Sequence, residues 1–295
     1  MNSLLVGRDV VEWREDVGRS EGLEEAAKRS CRRVPIHLAS WDWRQPHLMG
    51  KMSNLLARAF RKAAYTIEPP EKRTEVSDEY VKWLCFANAG MLDTGNLHLI
   101  DTAMKQLPSA APILEIGSFC GLSANVLTHY KRKYGVKNRL ITCDKWEFEN
   151  AGKASERIGS SPILFSDYKT FVRDSYLRNT RLFSGDDLPF AMEMTSDEFF
   201  AAWSEKKATE DVFGRRLTLG GPISFCYVDG DHTYEGAKRD FLNCDALLEE
   251  GGFILFDDST VESFGVRELV PEVLTTGRYK LVATNPNHLF QKLKN

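Results

Sequence analysis

Two apolar runs, ISFCYVD (residues 223–229) and GGFILFDD (residues 251–258), each end in acid and decide the reading of the chain. Between them lie Gly230-Asp231-His232 and TYEGAKRDFLNCDALLEE (residues 233–250), whose apolar residues recur at helical spacing. Short apolar runs rich in aromatic and β-branched residues, separated by a helical stretch, read as parallel strands joined by a crossover. Their carboxyl ends then lie side by side, and in an open α/β sheet that rim is where ligands bind. Asp229, His232, Asp257 and Asp258 are expected to converge there on one crevice. Three carboxylates and an imidazole suit a hard divalent cation, Mg²⁺ or a similar ion, with a base beside it. In this reading Asp229, Asp257 and Asp258 hold the metal and His232 is the general base. Asp231 reads as the cap of the following helix.

Outward from this pair, Pro112–Gly117, Leu140–Asp144, Phe190–Met194, Tyr279–Thr284 and His288–Lys292 read as further strands. Helical segments separate all but the last two. Those are linked by Asn285-Pro286-Asn287, a turn signal that makes the final strand antiparallel. The alternation predicts an α/β, Rossmann-like doubly wound sheet of seven strands with an antiparallel last strand. Residues 145–187 and 201–221 exceed what crossovers need and are expected to form lids or substrate walls above the rim. Their aromatic residues, Phe148, Tyr168, Phe171, Tyr176 and Trp203 among them, line an acceptor pocket or fill the core of a helical lid.

The first 75 residues hold no convincing strand. EGLEEAAKRSCRRV and MGKMSNLLARAFRKAAYTI have helical periodicity, and Pro69-Pro70-Glu71-Lys72-Arg73 reads as a rigid, charged break. Residues 1–75 are thus expected to be a helical extension packing on the core or on another subunit, and residues 76–295 the catalytic domain. An extension without a core of its own makes a homo-oligomer through these helices a candidate assembly.

With 295 residues, 42% of them hydrophobic, the chain can bury a substantial core. A net charge of −3 supplies no basic field for nucleic acid. No run approaches membrane-spanning length, and the N-terminus turns acidic before a signal-like core develops. Six cysteines without CxxC spacing read as reduced thiols. A cytoplasmic protein is expected, with a small-molecule partner and neither membrane nor nucleic acid.

The first strand ends in LEIGSFCGLSA (residues 114–124) and runs into a helix. Its glycines are spaced Gly-x-x-x-Gly, lacking both the three-glycine nicotinamide fingerprint and the Gly-Lys-Ser/Thr of a phosphate loop. Glu115 directs an anion toward the pocket, which suits a cationic ligand. Gly117, Ser118, Phe119 and Gly121 form the turn, and Ser123 offers donors in the first helical turn. The second strand ends in Asp144, placed to accept bonds from a ribose diol, with Lys145 and Trp146 following and the indole offering a flat face to a purine. Alternatively Asp144 caps a helix and Trp146 is core. Ser196 and Asp197, after the third strand, cap a helix or meet an adenine edge.

LEIGSFCGLSA, CDKW (residues 143–146), YVDGDHTYEGAKRDF (residues 227–241) and GGFILFDD together resemble the class I S-adenosylmethionine-dependent methyltransferases, in particular the metal-dependent small-molecule O-methyltransferases. The resemblance spans about residues 75–295. It implies that Glu115, Gly117 and Gly121 cradle the methionine part of the cofactor with Ser123 near its carboxylate. Asp144 would bind the ribose, and Trp146, Ser196 and Asp197 would surround adenine. Enzymes of the catechol-methylating type carry lysine three residues after the metal aspartate and a final Asp-Asn; here His232 and Asp257-Asp258 stand instead. That is closer to enzymes acting on sugar hydroxyls of natural products. Rival readings are a hydroxylase-like or divergent nucleoside-binding enzyme of the same fold, and a non-catalytic scaffold subunit.

Overall fold

The computed structural model describes residues 73–147 and 153–294. The chain divides into two units, Met1–Pro69 and Pro70–Asn295. The expected N-terminal helices and Phe148 lie outside the described residues.

The elements are α1 (Glu79–Ala87), α2 (Asn96–Met104), β1 (Ile113–Ile116), α3 (Leu122–Tyr134), β2 (Leu140–Cys143), α4 (Phe165–Phe183), β3 (Phe190–Met192), α5 (Ser196–Ser204), β4 (Ala208–Glu210), β5 (Arg216–Thr218), β6 (Ile223–Val228), α6 (Tyr234–Leu247), β7 (Leu248–Phe256), α7 (Val266–Thr275), β8 (Tyr279–Thr284) and β9 (His288–Lys292). Seven strands form one sheet in the order β3-β2-β1-β6-β7-β9-β8. Only β9 runs against its neighbours, pairing antiparallel with both β7 and β8.

Strand alternation sorts the sheet's side chains into two cores. Leu114, Ile116, Cys226, Val228, Ile254 and Phe256 pack under α5, α6 and α7. Ile113, Phe225, Tyr227, Phe253 and Leu255 pack under α1 to α4. Burial on both faces explains why β6 and β7 read as continuous apolar runs. Each fully buried phenylalanine contributes roughly 1.5–3 kcal/mol.

The chain leaves β1 toward β2 and β3 on one side and returns through β6 toward β7 on the other, so strand order reverses between β1 and β6. A crevice opens at such a switch point, at the carboxyl ends of the strands.

Three details differ from expectation. LLEE (residues 247–250) reads as helix, but α6 stops at Leu247 and β7 begins at Leu248, paired with Ile223 through a register shift. The 145–187 segment contains α4, a 19-residue helix packed on α3 that is itself the crossover between β2 and β3. The 201–221 segment is no lid: β4 and β5 form an antiparallel hairpin whose turn covers the open edge of the sheet. Val212 N–H donates to Ala191 O at 2.9 Å, and Arg215 lies 4.2 Å over the Phe190 ring while donating to Leu188 O. An edge strand otherwise exposes unpaired backbone groups, and this turn satisfies the Ala191 carbonyl among them.

Among the described residues no helix is long and apolar enough to cross a membrane. Cys85, Cys120, Cys143, Cys226 and Cys244 are free thiols, and all but Cys85 are buried.

Candidate active site

Two turns meet at the switch point. The β1–α3 turn holds Gly117 at φ +79°, Phe119 at φ +42° and Gly121 at φ +85°. A Cβ on Gly117 would stand 1.8 Å from the Asp229 carbonyl oxygen, so only glycine lets the turn after β1 approach the turn after β6. A phenylalanine at positive φ is strained, and such strain collects where backbone must be aimed at a ligand.

Asp144 fixes this turn. Its Oδ2 accepts Ser118 N–H and Phe119 N–H, each at 2.8 Å, and its Oδ1 accepts Trp146 N–H at 2.5 Å. A carboxylate has about four acceptor positions, so roughly one remains. The protein's own amides take the rest, which leaves Asp144 about one further bond for the expected ribose. Burial raises the Asp144 pKa, and the three amides pull it back down.

Trp146 is also corrected. It is 3% exposed, packs 5.3 Å from Tyr176 and donates its indole N–H to Phe119 O at 2.9 Å. The ring is core that supports the glycine turn, and it has no face left for a purine. Tyr176 itself packs under Gly121 and shares a 2.9 Å hydrogen bond with Thr142. Of the other aromatics in the two long segments, Trp203 is buried and Phe171 is exposed.

Glu115 is fully buried, and neither carboxylate oxygen makes a hydrogen bond of sound geometry. Burial pushes its pKa up to about 8, partly offset by the nearby Ser123 hydroxyl and reinforced by Asp229 and Asp144. An orphaned carboxylate beneath a strained glycine turn is costly unless a cationic ligand group completes it. Ser123 lies in the first turn of α3, and the Ser118 hydroxyl is likewise buried without a partner.

After β3, Thr195 and Glu198 form a capping box on α5, with Lys145 Nζ 3.4 Å from Glu198. Ser196 and Asp197 occupy the first turn of this helix at the same rim. Asp197 lies 3.6 Å from Arg239, and Ser196 donates to Asp240, a residue sequence reasoning did not single out. Asp240 is 2% exposed, and burial raises its pKa from 3.8 to about 6 against the pull of Ser196 and Arg239. A carboxyl whose folded pKa exceeds its unfolded one destabilises the fold once ionised. The penalty is absent below about pH 4 and complete above about pH 6. Asp240→Asn is therefore expected to be more stable to urea than the parent at pH 8, by about 3 kcal/mol, with the difference vanishing near pH 4. Equal midpoints at pH 8 would refute this account.

At the ends of β6 and β7, Asp229, His232 and Asp258 bring one ligand atom each to within 4.8 Å of one another. His232 Nε2 stands 3.1 Å from Asp258 Oδ2 and 3.5 Å from Asp229 Oδ1, with its ring 4.6 Å from Phe264. Burial and the Asp257 charge raise the Asp229 pKa, and His232 lowers it. Two part-exposed carboxylates are oxygen donors that fit a divalent cation, and the imidazole stands beside them.

Asp257 does not join them, which corrects the expected ligand set. Its Oδ1 accepts Asn96 Nδ2 at 2.7 Å, Asn287 Nδ2 at 2.5 Å and Asp258 N–H at 2.9 Å, while Oδ2 accepts the Tyr227 hydroxyl at 2.5 Å. The strand's alternation turns Asp257 inward. Asp258, at φ +52°, turns out of the strand line into the crevice. Asp231 accepts Thr233 N–H at 2.8 Å, but the cap of α6 is Thr233.

Asn96, Asn287, Tyr227 and Asp240 were not legible as site residues. For the two asparagines the signal was polarity in apolar surroundings, Asn96 opening NLHLIDTAM and Asn287 closing a proline turn.

The strand order, the glycine turn over an orphaned Glu115 and the acid at the end of β2 are the frame of a class I S-adenosylmethionine-dependent methyltransferase. A family model described as a methyltransferase domain matches residues 114–259, so that part of the chain carries a methyltransferase domain. Similar solved structures include an O-methyltransferase from Bacillus cereus in complex with SAH, at 13% identity and a TM-score of 0.47, covering 80% of this chain and 97% of that one. TomG from Streptomyces achromogenes, an O-methyltransferase involved in tomaymycin synthesis and solved with SAM, gives 14%, 0.45, 79% and 96%. SAH-bound PaMTH1, a Podospora anserina methyltransferase, gives 14%, 0.47, 88% and 100%. No curated protein sequence matches the chain.

Proposed function

We propose that the protein transfers a methyl group from S-adenosylmethionine to a hydroxyl of a small molecule, a sugar or other natural-product alcohol, with His232 as general base. The observation that carries this reading is His232 Nε2 between Asp229 and Asp258, at the rim beside the glycine turn.

S-adenosylmethionine supplies an electrophilic methyl on a sulfonium. Glu115 would hold the ammonium of its methionine part, with the turn of Gly117, Ser118, Phe119 and Gly121 beside it and Ser123 offered to its carboxylate. Asp144 would bind the ribose, and Ser196 and Asp197 would meet the adenine edge. A divalent cation held by Asp229 and Asp258 would polarise the acceptor oxygen and lower its pKa. His232 would take the hydroxyl proton on Nε2 as the methyl carbon exchanges its bond to sulfur for one to the acceptor oxygen, S-adenosylhomocysteine being the leaving group. The carboxylates of Asp229 and Asp258 stabilise the imidazolium that forms and fix its direction. Asp257 holds Asp258 in place through its backbone N–H.

Calorimetric titration with S-adenosylhomocysteine, in Mg²⁺ and then in EDTA, tests the reading. Micromolar binding in at least one condition is expected. No binding in either would withdraw the assignment.

A further inference from the structure

A cleft of about 330 Å³ is bounded by Ser259, Thr260, Glu262, Arg267, Val270, Pro271 and His288. Ser259 follows Asp258 directly, so the near wall of the cleft begins one Cα step, about 3.8 Å, from a residue of the cluster. The loop that supplies Asp258, Ser259 and Thr260 also supplies Phe264, which packs on His232. A small molecule presenting a hydroxyl to His232 would reach into this space, and the volume suits one.

We propose that this cleft is the distal half of the acceptor site and binds an oxyanion, phosphate or carboxylate, that the acceptor carries away from its methylated hydroxyl. The proposal rests on the acceptor site lying at the His232 cluster.

His288 is fixed by a buried partner. Ser259 Oγ accepts the His288 backbone N–H at 3.0 Å and lies 2.9 Å from His288 Nδ1, against 3.4 Å from Asn287 Oδ1. The hydroxyl proton therefore goes to Nδ1, assigned from the network, and the ring keeps its own proton on Nε2 as a donor. Burial lowers the His288 pKa, so the ring is neutral at physiological pH and donates without adding charge.

Arg267 supplies the cation. Its side chain is 56% exposed, and its ion pair with Glu262 is 3.6 Å long to a carboxylate that is itself 90% exposed. A pair this open is worth at most about 1 kcal/mol, so an incoming oxyanion can displace Glu262 into solvent. Arg267, His288 and Thr260 share the lining of the cleft, and a guanidinium fork can hold an oxyanion bidentately with the other two as further donors. Val270 and Pro271 leave an apolar wall for the ligand's carbon skeleton.

The test follows the His288 ring nitrogens by NMR in histidine-selectively ¹⁵N-labelled protein, the resonance being assigned with His288→Asn. Inorganic phosphate and acetate are titrated in separate arms at constant ionic strength, in EDTA. Saturable shifts of His288 with either anion are expected, weakened at least tenfold in Arg267→Met. The tighter anion identifies the group. No saturable shift with either anion, or equal binding in Arg267→Met, overturns the proposal. S-adenosylhomocysteine affinity is measured on the same samples. If it is intact, the overturned proposal leaves the methyltransferase reading standing; if it is absent from the parent protein, that reading fails on its own evidence.

Discussion

Replacing His232 by alanine is expected to lower methyl transfer by about 10²- to 10⁴-fold, the usual weight of a positioned general base, while S-adenosylhomocysteine affinity stays within about twofold. The separation follows from geometry. His232 follows β6 and contacts Asp258, Asp229 and Phe264, whereas the glycine turn is fixed by Asp144 and Trp146. The ring is 26% exposed at the rim and leaves no sealed cavity, so the fold should survive. Transfer is read as S-adenosylhomocysteine release against a panel of hydroxyl acceptors, beside calorimetry on the same variant. Full turnover in His232→Ala would remove the base assignment, and loss of cofactor affinity would show that the ring supports the cradle instead.

Asp257→Ala is expected to cost roughly 3–5 kcal/mol of stability, the largest effect of any single substitution considered for this domain. The residue is 3% exposed and accepts four hydrogen bonds, three from buried side chains on α2, β6 and the turn before β9. Alanine removes an acceptor of Asn287 Nδ2 and of the Tyr227 hydroxyl and leaves Asn96 Nδ2 only a 3.4 Å contact to that hydroxyl, at about 1–3 kcal/mol for each buried group. Asp258 loses the bond that holds its left-handed backbone, so cation affinity at the rim should fall as well. Urea unfolding measures the first effect and Mg²⁺ titration the second. A loss below about 1 kcal/mol would mean that water or side-chain rearrangement replaces the carboxylate, and the network account would fail.

These two aspartates mark the boundary of what the sequence could reveal. Both end the same apolar run, and adjacency made them look like a pair of ligands. Side chains of successive strand residues point to opposite sides, so only one could face the crevice unless the backbone turned. Asp258 takes that turn at φ +52°, and Asp257 stays inside. Trp146 shows the same limit: its position after Asp144 was legible, but whether an indole faces a ligand or the core depends on Tyr176, 30 positions away in α4.

The sequence by itself determined the seven strands, the antiparallel last strand and the meeting of Glu115, Gly117, Asp144, Asp229 and His232 at one rim. Those follow from local hydrophobic period and from the rule that parallel strands align their carboxyl ends. The tertiary structure alone decided which acids face the crevice, that a hairpin turn and not a lid fills residues 201–221, and that asparagines from α2 and the β8–β9 turn satisfy Asp257. Hydrogen-bond partners nearly 200 residues apart leave no periodic trace in a chain, because their geometry exists only once the sheet has brought them together.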